Sequence, residues 1–191
     1  MVSKVGPELP WHSHIAYEGR AGDLSHIRRL EWDTMNALVV RIGRLEPMRV
    51  ASAYGFGVNP EQLAWQMLTG WAKPKGLLDD LDVHPIFGFN NPYPLPGNPK
   101  YGYEFWIKVG PEVEPEGQIR ITEFLGGLYA VTRCEVQGHP ETNVPAGWKN
   151  LAEWCKSNHH VFGSHHALER CLSDPEDQEH LVLNLYCPIV A

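Results

Sequence analysis

The chain has no uninterrupted apolar run longer than a few residues, so no membrane-spanning helix is read from it and no membrane partner is expected. It has no basic excess either. With a formal net charge of −7 it lacks the positive surface that phosphate backbones need, and nucleic acid is not expected as a direct partner. Cys134, Cys155, Cys171 and Cys187 form no C-x-x-C pair and are read as free thiols of a reducing compartment. H-E-x-x-H, G-x-S-x-G and the Walker phosphate loop are missing, and Gly55-Phe56-Gly57 is too short for a dinucleotide fingerprint. No cofactor is therefore expected. Met1-Val2-Ser3-Lys4 leads into Gly-Pro-Glu-Leu-Pro rather than a hydrophobic stretch, so no secretory signal is read and a cytoplasmic location is expected. Histidines crowd at Trp11-His12-Ser13-His14, His159-His160 and His165-His166, but no ligand spacing joins them, so they read as polar loops and no metal site is expected.

What the chain does contain is a near repetition of itself. Leu45-Glu46-Pro47-Met48-Arg49-Val50-Ala51 stands 80 positions before Leu125-Gly126-Gly127-Leu128-Tyr129-Ala130-Val131. Trp65, Leu68 and Trp71 stand 83 before Trp148, Leu151 and Trp154, and Pro92 stands 83 before Pro175. Glu104-Phe105-Trp106-Ile107 returns to 80 before Asn184-Leu185-Tyr186-Cys187. Such a period implies a structural duplication with a seam between halves, where ligands often bind.

The elements repeat in the same order. Residues 37–44 and 49–54 are β-like and form one bent strand or two, because Pro47 cannot sit in a regular ladder. Asn59-Pro60-Glu61-Gln62 reads as a helix start with an asparagine cap, and Ala64, Trp65, Leu68, Trp71 and Ala72 follow at helical spacing. Strands are expected at 85–89 and 101–109, separated by the turn Asn90-Asn91-Pro92. In the second half, strands 118–125 and 128–135 precede a helix begun by Pro145, then strands 168–172 and 181–189. Residues 1–34 are an unrepeated N-terminal extension with a short helix at 23–29, too short for a helix-turn-helix DNA reader. Residues 35–191 form the main domain, with half-repeats at about 36–113 and 118–191 joined by the acidic segment 111–117. The expected fold is α+β, a duplicated β-α-β-β unit with mainly antiparallel sheets around a pseudo-two-fold cleft.

Alternation sorts the faces of the closing strands. Phe105 and Ile107 share one face and Glu104 and Trp106 the other; Leu185 and Cys187 share one face, with Asn184 and Tyr186 opposite. The apolar faces should pack on the helices. The other face carries a carboxylate, an amide and two aromatics, and is either a ligand-lined seam or an ordinary solvated surface. An acidic aromatic box suits a flat or cationic organic molecule. Tyr54 and Tyr103 complete the candidate lining. Glu169 is either a second carboxylate of that pocket or an exposed strand residue. Trp65 and Trp148, on the apolar helix stripes, read first as core and second as pocket floor.

The ordered phrases Pro47-Met48-Arg49-Val50-Ala51, Trp65-x-x-Leu68-x-x-Trp71, Gly127-Leu128-Tyr129-Ala130-Val131, Trp148-x-x-Leu151 and Tyr186-Cys187-Pro188-Ile189 carry a resemblance over about residues 38–190. The chain resembles the gyrase-inhibitor-like (GyrI-like) effector-binding domain, which also ends AraC-type and multidrug-sensing bacterial regulators. The resemblance implies a duplicated β-α-β-β fold whose central cleft takes small, often lipophilic or cationic, molecules. It also implies an acidic residue after a tyrosine, matched by Tyr103-Glu104, and a glutamate in the short second-half strand, matched by Glu169. Where the family commonly has a glutamate before the final aromatic and proline, this chain has Asn184.

Three functions follow as expectations. The first is a small-molecule binding protein, either a sensor without its DNA reader or a sequestering protein. The second is a hydrolase with Glu104 or Glu169 as general base. The third is a module that docks on a partner such as a regulator or enzyme, through an apolar patch around residues 93–101.

Overall fold

The computed structural model describes residues 38–174, 176–177 and 179–190. The extension 1–34 with its helix, residue 37 at the head of the first strand, and Pro175 lie outside the described residues.

Strands β1 (Val40–Leu45), β2 (Met48–Gly57), β3 (Ile86–Asn90), β4 (Tyr101–Lys108), β5 (Arg120–Phe124), β6 (Gly127–Glu135), β7 (Leu168–Cys171) and β8 (Val182–Ile189) alternate with helices α1 (Pro60–Ala72) and α2 (Pro140–Ser157). All strand pairs are antiparallel, in one eight-stranded sheet ordered β1-β6-β8-β7-β3-β4-β2-β5. Exchanging each strand of the first half with its counterpart in the second turns this order into its own reverse. That is the pseudo-two-fold, with β3 and β7 meeting at its centre.

The sequence leaves open whether Pro47 bends one strand or divides two. It divides two, and the halves go to opposite ends of the sheet. β1 and β2 are six inter-strand spacings apart, about 29 Å if the sheet were flat. Only Glu46 and Pro47 join them, a link that spans about 10 Å at most. The sheet must therefore curl until its ends meet. Leu125-Gly126 makes the same crossing in the second half, and the two bends touch: a Cβ on Gly126, at φ +77°, would lie 2.4 Å from the Leu45 carbonyl oxygen. Only glycine fits there.

Helix α1 packs on β2 and β4, and α2 on β6 and β8, so the central strands lie between the two helices. Leu68, Ile86, Ile107, Leu151 and Leu185 are fully buried beneath them, each contributing about 1.5–3 kcal/mol of apolar burial. A second core of Val50, Phe87, Phe89, Trp106, Tyr129 and Tyr186 fills the opposite, concave face. The four cysteines are all free and buried on the helix side. No helix among the described residues is long and apolar enough to cross a membrane.

Two sequence readings need correction. Helix α2 begins at Pro140, not Pro145, which lies inside it on an exposed turn. Either proline could open a helix, and Pro140 takes the first position, where a missing N–H costs nothing. The 80-residue alignment of 45–51 with 125–131 is also one residue out in space. Ala51 and Ala130, 79 apart, occupy equivalent ladder positions under the helices, while Val50 and Ala130 face opposite ways. A one-residue slip inverts the face of a strand, and two apolar runs hide it. Asn59 precedes α1 as expected, but its side chain makes no capping bond.

Candidate functional site

Glu169 stands near the middle of the sheet, in register with Gly88 on β3 and Leu185 on β8. Gly88 and Glu169 are themselves equivalent positions, so the pseudo-two-fold passes through this pair. One half supplies a glycine and the other a carboxylate. The missing side chain is used: a Cβ on Gly88 would lie 2.3 Å from the Tyr103 phenol oxygen. Across that gap the Tyr103 hydroxyl donates to Glu169 Oε2 at 2.7 Å, and Trp148 Nε1 of α2 donates to Oε1 at 2.8 Å. Burial pushes the Glu169 carboxyl above its ordinary range, the two donors pull it down, and the charge of Glu61 pushes it up again. Glu169 nonetheless stays only half-buried, on the face of the sheet that carries both helices.

Aromatic residues wall this cleft. Tyr93 enters from the β3–β4 loop, its phenol pushed up to about 12 by burial and then by the Glu169 charge. Trp65 of α1 packs edge-on against Phe105 at 5.3 Å, and Phe105 lies 5.0 Å from Tyr103. Trp65 Nε1 donates to Glu176 at 3.2 Å, and the Tyr101 hydroxyl donates to Glu61 at 2.6 Å. Each of the three carboxylates Glu61, Glu169 and Glu176 thus accepts from an aromatic side chain. On the other side of Trp65 lies a groove of about 470 Å³, bounded by the loops after α1 and after β7.

Glu104 belongs to the other face. It is 7% exposed and accepts hydrogen bonds from Ser52 Oγ, Asn91 Nδ2 and Trp106 Nε1. Burial pushes its carboxyl up, but these donors, with the charge of Arg120, outweigh that and hold it below the ordinary range. Trp106 packs on Phe89 at 4.6 Å, and His166 lies against both rings. Tyr186 is flanked by Phe87 and Tyr129 at 6.1 and 5.6 Å.

The residues grouped in sequence therefore separate. Trp106 and Tyr186 share one face as alternation demands, but Phe87, Phe89 and Tyr129 fill the space around them. Tyr54 and Asn184 lie on that face too, Tyr54 in register with Glu104 and under Arg120, Asn184 between Arg133 and Arg170. Tyr103, Trp65, Trp148 and Glu169 line the interhelical cleft instead. Grouping Glu169 with Glu104 is thus corrected: they point to opposite sides of the sheet, because Glu169 shares the face of Phe105. Sequence reasoning passed over Glu61, Tyr93, Tyr101 and Glu176. Alternation along β4 puts Tyr101, Tyr103 and Phe105 on one face, and following those rings would have found two walls of the cleft. Nothing local marks the loop residues Tyr93 and Glu176. Within 93–101, Tyr93 turns into the cleft and Tyr101 is tied to Glu61, while Leu95 is 63% exposed.

Residues 39–190 match the family described as GyrI-like small molecule binding domain. No curated protein matches the chain. Among solved structures, the EcmrR C-terminal domain aligns with TM-score 0.60 at 11% identity, covering 80% of this chain and 98% of its own. A hydrolase encoded by lin2189 from Listeria innocua aligns with TM-score 0.58 at 13% identity, covering 83% and 95%. SAV2435 bound to tetraphenylphosphonium aligns with TM-score 0.50 at 12% identity, covering 81% and 95%. At these identities the likeness is one of fold.

Proposed function

The chain belongs to the GyrI-like small molecule binding domain family, and on that premise we propose that it binds lipophilic organic cations in the cleft between α1 and α2, with Glu169 as counter-ion. The observation that carries this reading is a half-buried carboxylate whose two partners, Tyr103 and Trp148, are neutral donors. Desolvating a charge without an opposite charge is costly, and a bound cation offsets that cost. Trp65, Tyr93 and Trp148 supply ring faces, each worth about 0.5–2 kcal/mol to a cation from which water is excluded. Tetraphenylphosphonium on SAV2435 is a ligand of the same chemistry on the same fold. The protein then serves as a ligand sensor or sequestering protein of the bacterial multidrug-sensing kind. Four unpaired thiols suit the reducing cytoplasm as its location.

The test is titration with tetraphenylphosphonium followed by tryptophan fluorescence, with triphenylphosphine oxide as the neutral control. Saturable quenching by the cation alone is expected. Equal response to both compounds, or to neither, contradicts the reading.

A second reading rests on the same carboxylate. A raised pKa moves Glu169 towards the range of a general base for water, and one structure of this fold is a hydrolase. Turnover of a panel of lipophilic esters that is lost in E169Q would favour it; absence of turnover would leave binding alone.

A further inference from the structure

The groove beyond Trp65 is not needed to hold a singly charged ligand at Glu169, and its composition differs from that of the inner cleft. Leu78 and Leu81 give it an apolar bed, while Asp79, Asp174 and Glu176 share it with one base, Lys73. Its volume of about 470 Å³ lies within the range that accommodates organic ligands. The acids are held in place: Asp174 Oδ1 accepts the Glu176 backbone N–H at 2.9 Å, and Glu176 accepts Trp65 Nε1 at 3.2 Å. Trp65 connects the groove to the carboxylate: it lines the groove and stands edge-on to Phe105, which lies 5.0 Å from Tyr103, the donor to Glu169. The order along the cleft is therefore acid, aromatic and apolar surface, acid. A monocation at Glu169 leaves the outer acids facing water.

We propose that the cleft recognises linear bis-cations, molecules with two ammonium-type ends on an apolar chain. One end lies at Glu169, the chain runs past Trp65 and along Leu78 and Leu81, and the other end lies among Asp79, Asp174 and Glu176. This rests on the cation-binding reading above and extends it to the ligand's class. Once the first end is seated, the second binds intramolecularly, so even weak attraction at the outer acids raises affinity.

Decamethonium and decyltrimethylammonium carry the same chain and differ in the second charge, and both are to be titrated against the intact protein by calorimetry. Decamethonium is expected to bind at least about tenfold more tightly, a margin of about 1.4 kcal/mol. The double variant D79N/D174N, which leaves Glu176 and its bond to Trp65 in place, should lower that ratio several-fold without changing the affinity for decyltrimethylammonium. The amide oxygen that D174N introduces still accepts the Glu176 backbone N–H, and near-UV circular dichroism confirms the fold. Decyltrimethylammonium binding as tightly as decamethonium overturns the proposal and leaves the Glu169 reading standing. A decamethonium preference that survives D79N/D174N unchanged also overturns it. Failure of both compounds to bind removes the cation reading itself and this extension with it.

Discussion

The Tyr103 hydroxyl crosses one whole strand to reach Glu169, passing over Gly88, where any Cβ would stand 2.3 Å from the phenol oxygen. One hydrogen bond thus ties β4 to β7 across β3, at the seam between the halves. Gly88→Ala should displace the phenol and destabilise the protein by about 1–3 kcal/mol through overpacking. Urea unfolding measures it. A change within experimental error would show that the phenol moves aside freely.

Tyr103→Phe keeps the ring and removes the donor. Its loss should raise the Glu169 carboxyl further, since the phenol is one of the two groups pulling it down. Cation binding needs the ionised carboxylate, so affinity should rise with pH through the raised Glu169 pKa, and Tyr103→Phe should move that rise to higher pH. Fluorescence titrations across the acidic-to-neutral range give both curves. Superimposable curves would contradict the role given to Tyr103.

On the concave side, Glu104→Ala leaves the buried Ser52 and Trp106, and the exposed Asn91, without their common acceptor. A loss of more than about 3 kcal/mol is expected, because charge-assisted hydrogen bonds contribute about 1.5–3 kcal/mol each and their sum is not additive. Chemical denaturation checks it.

The two carboxylates should also pull the pH dependence of stability in opposite directions. Glu104, held below its ordinary value, contributes stability that is present above that value and lost as pH falls through the lowered pKa. Glu169, held above its ordinary value, contributes stability that is complete below that value and lost as pH rises through the raised pKa. Stability differences between wild type and E104Q, and between wild type and E169Q, should therefore slope oppositely with pH. Parallel slopes would mean that burial and hydrogen bonding do not separate the pair.

Pro145 lies in the interior of α2, where it removes a backbone donor and crowds the preceding turn. Pro145→Ala should stabilise the protein by about 1–2 kcal/mol, the helix gain of up to about 3 being offset by a freer unfolded chain. Thermal unfolding would show a higher midpoint; a lower one would mean that Pro145 is required for α2 to fit the sheet.

Much of this architecture could be read from residue order. Alternation in β4 and β8 sorted Glu104 and Trp106 from Phe105, and Asn184 and Tyr186 from Leu185, and the Trp65 and Trp148 stripes located both helices. The site was harder to read because it depends on pairings between halves. β7 has four residues, too few for alternation to decide which way Glu169 points. Only its pairing with Gly88, 81 positions away in sequence, puts it under the helices. Tyr93 and Glu176 come from loops, whose course no periodicity marks. The equivalence of β2 and β6 was misjudged by one residue, because Val50-Ala51 and Ala130-Val131 are apolar in either register.

The central claim is that the cation seat is Glu169 in the interhelical cleft and not Glu104 in the concave core. Tetraphenylphosphonium affinity in E169Q and E104Q, each confirmed folded by near-UV circular dichroism, separates the two. The expected result is a loss of at least about tenfold in E169Q, the factor that corresponds to about 1.4 kcal/mol, with E104Q close to wild type. Binding abolished in E104Q and unchanged in E169Q would contradict it.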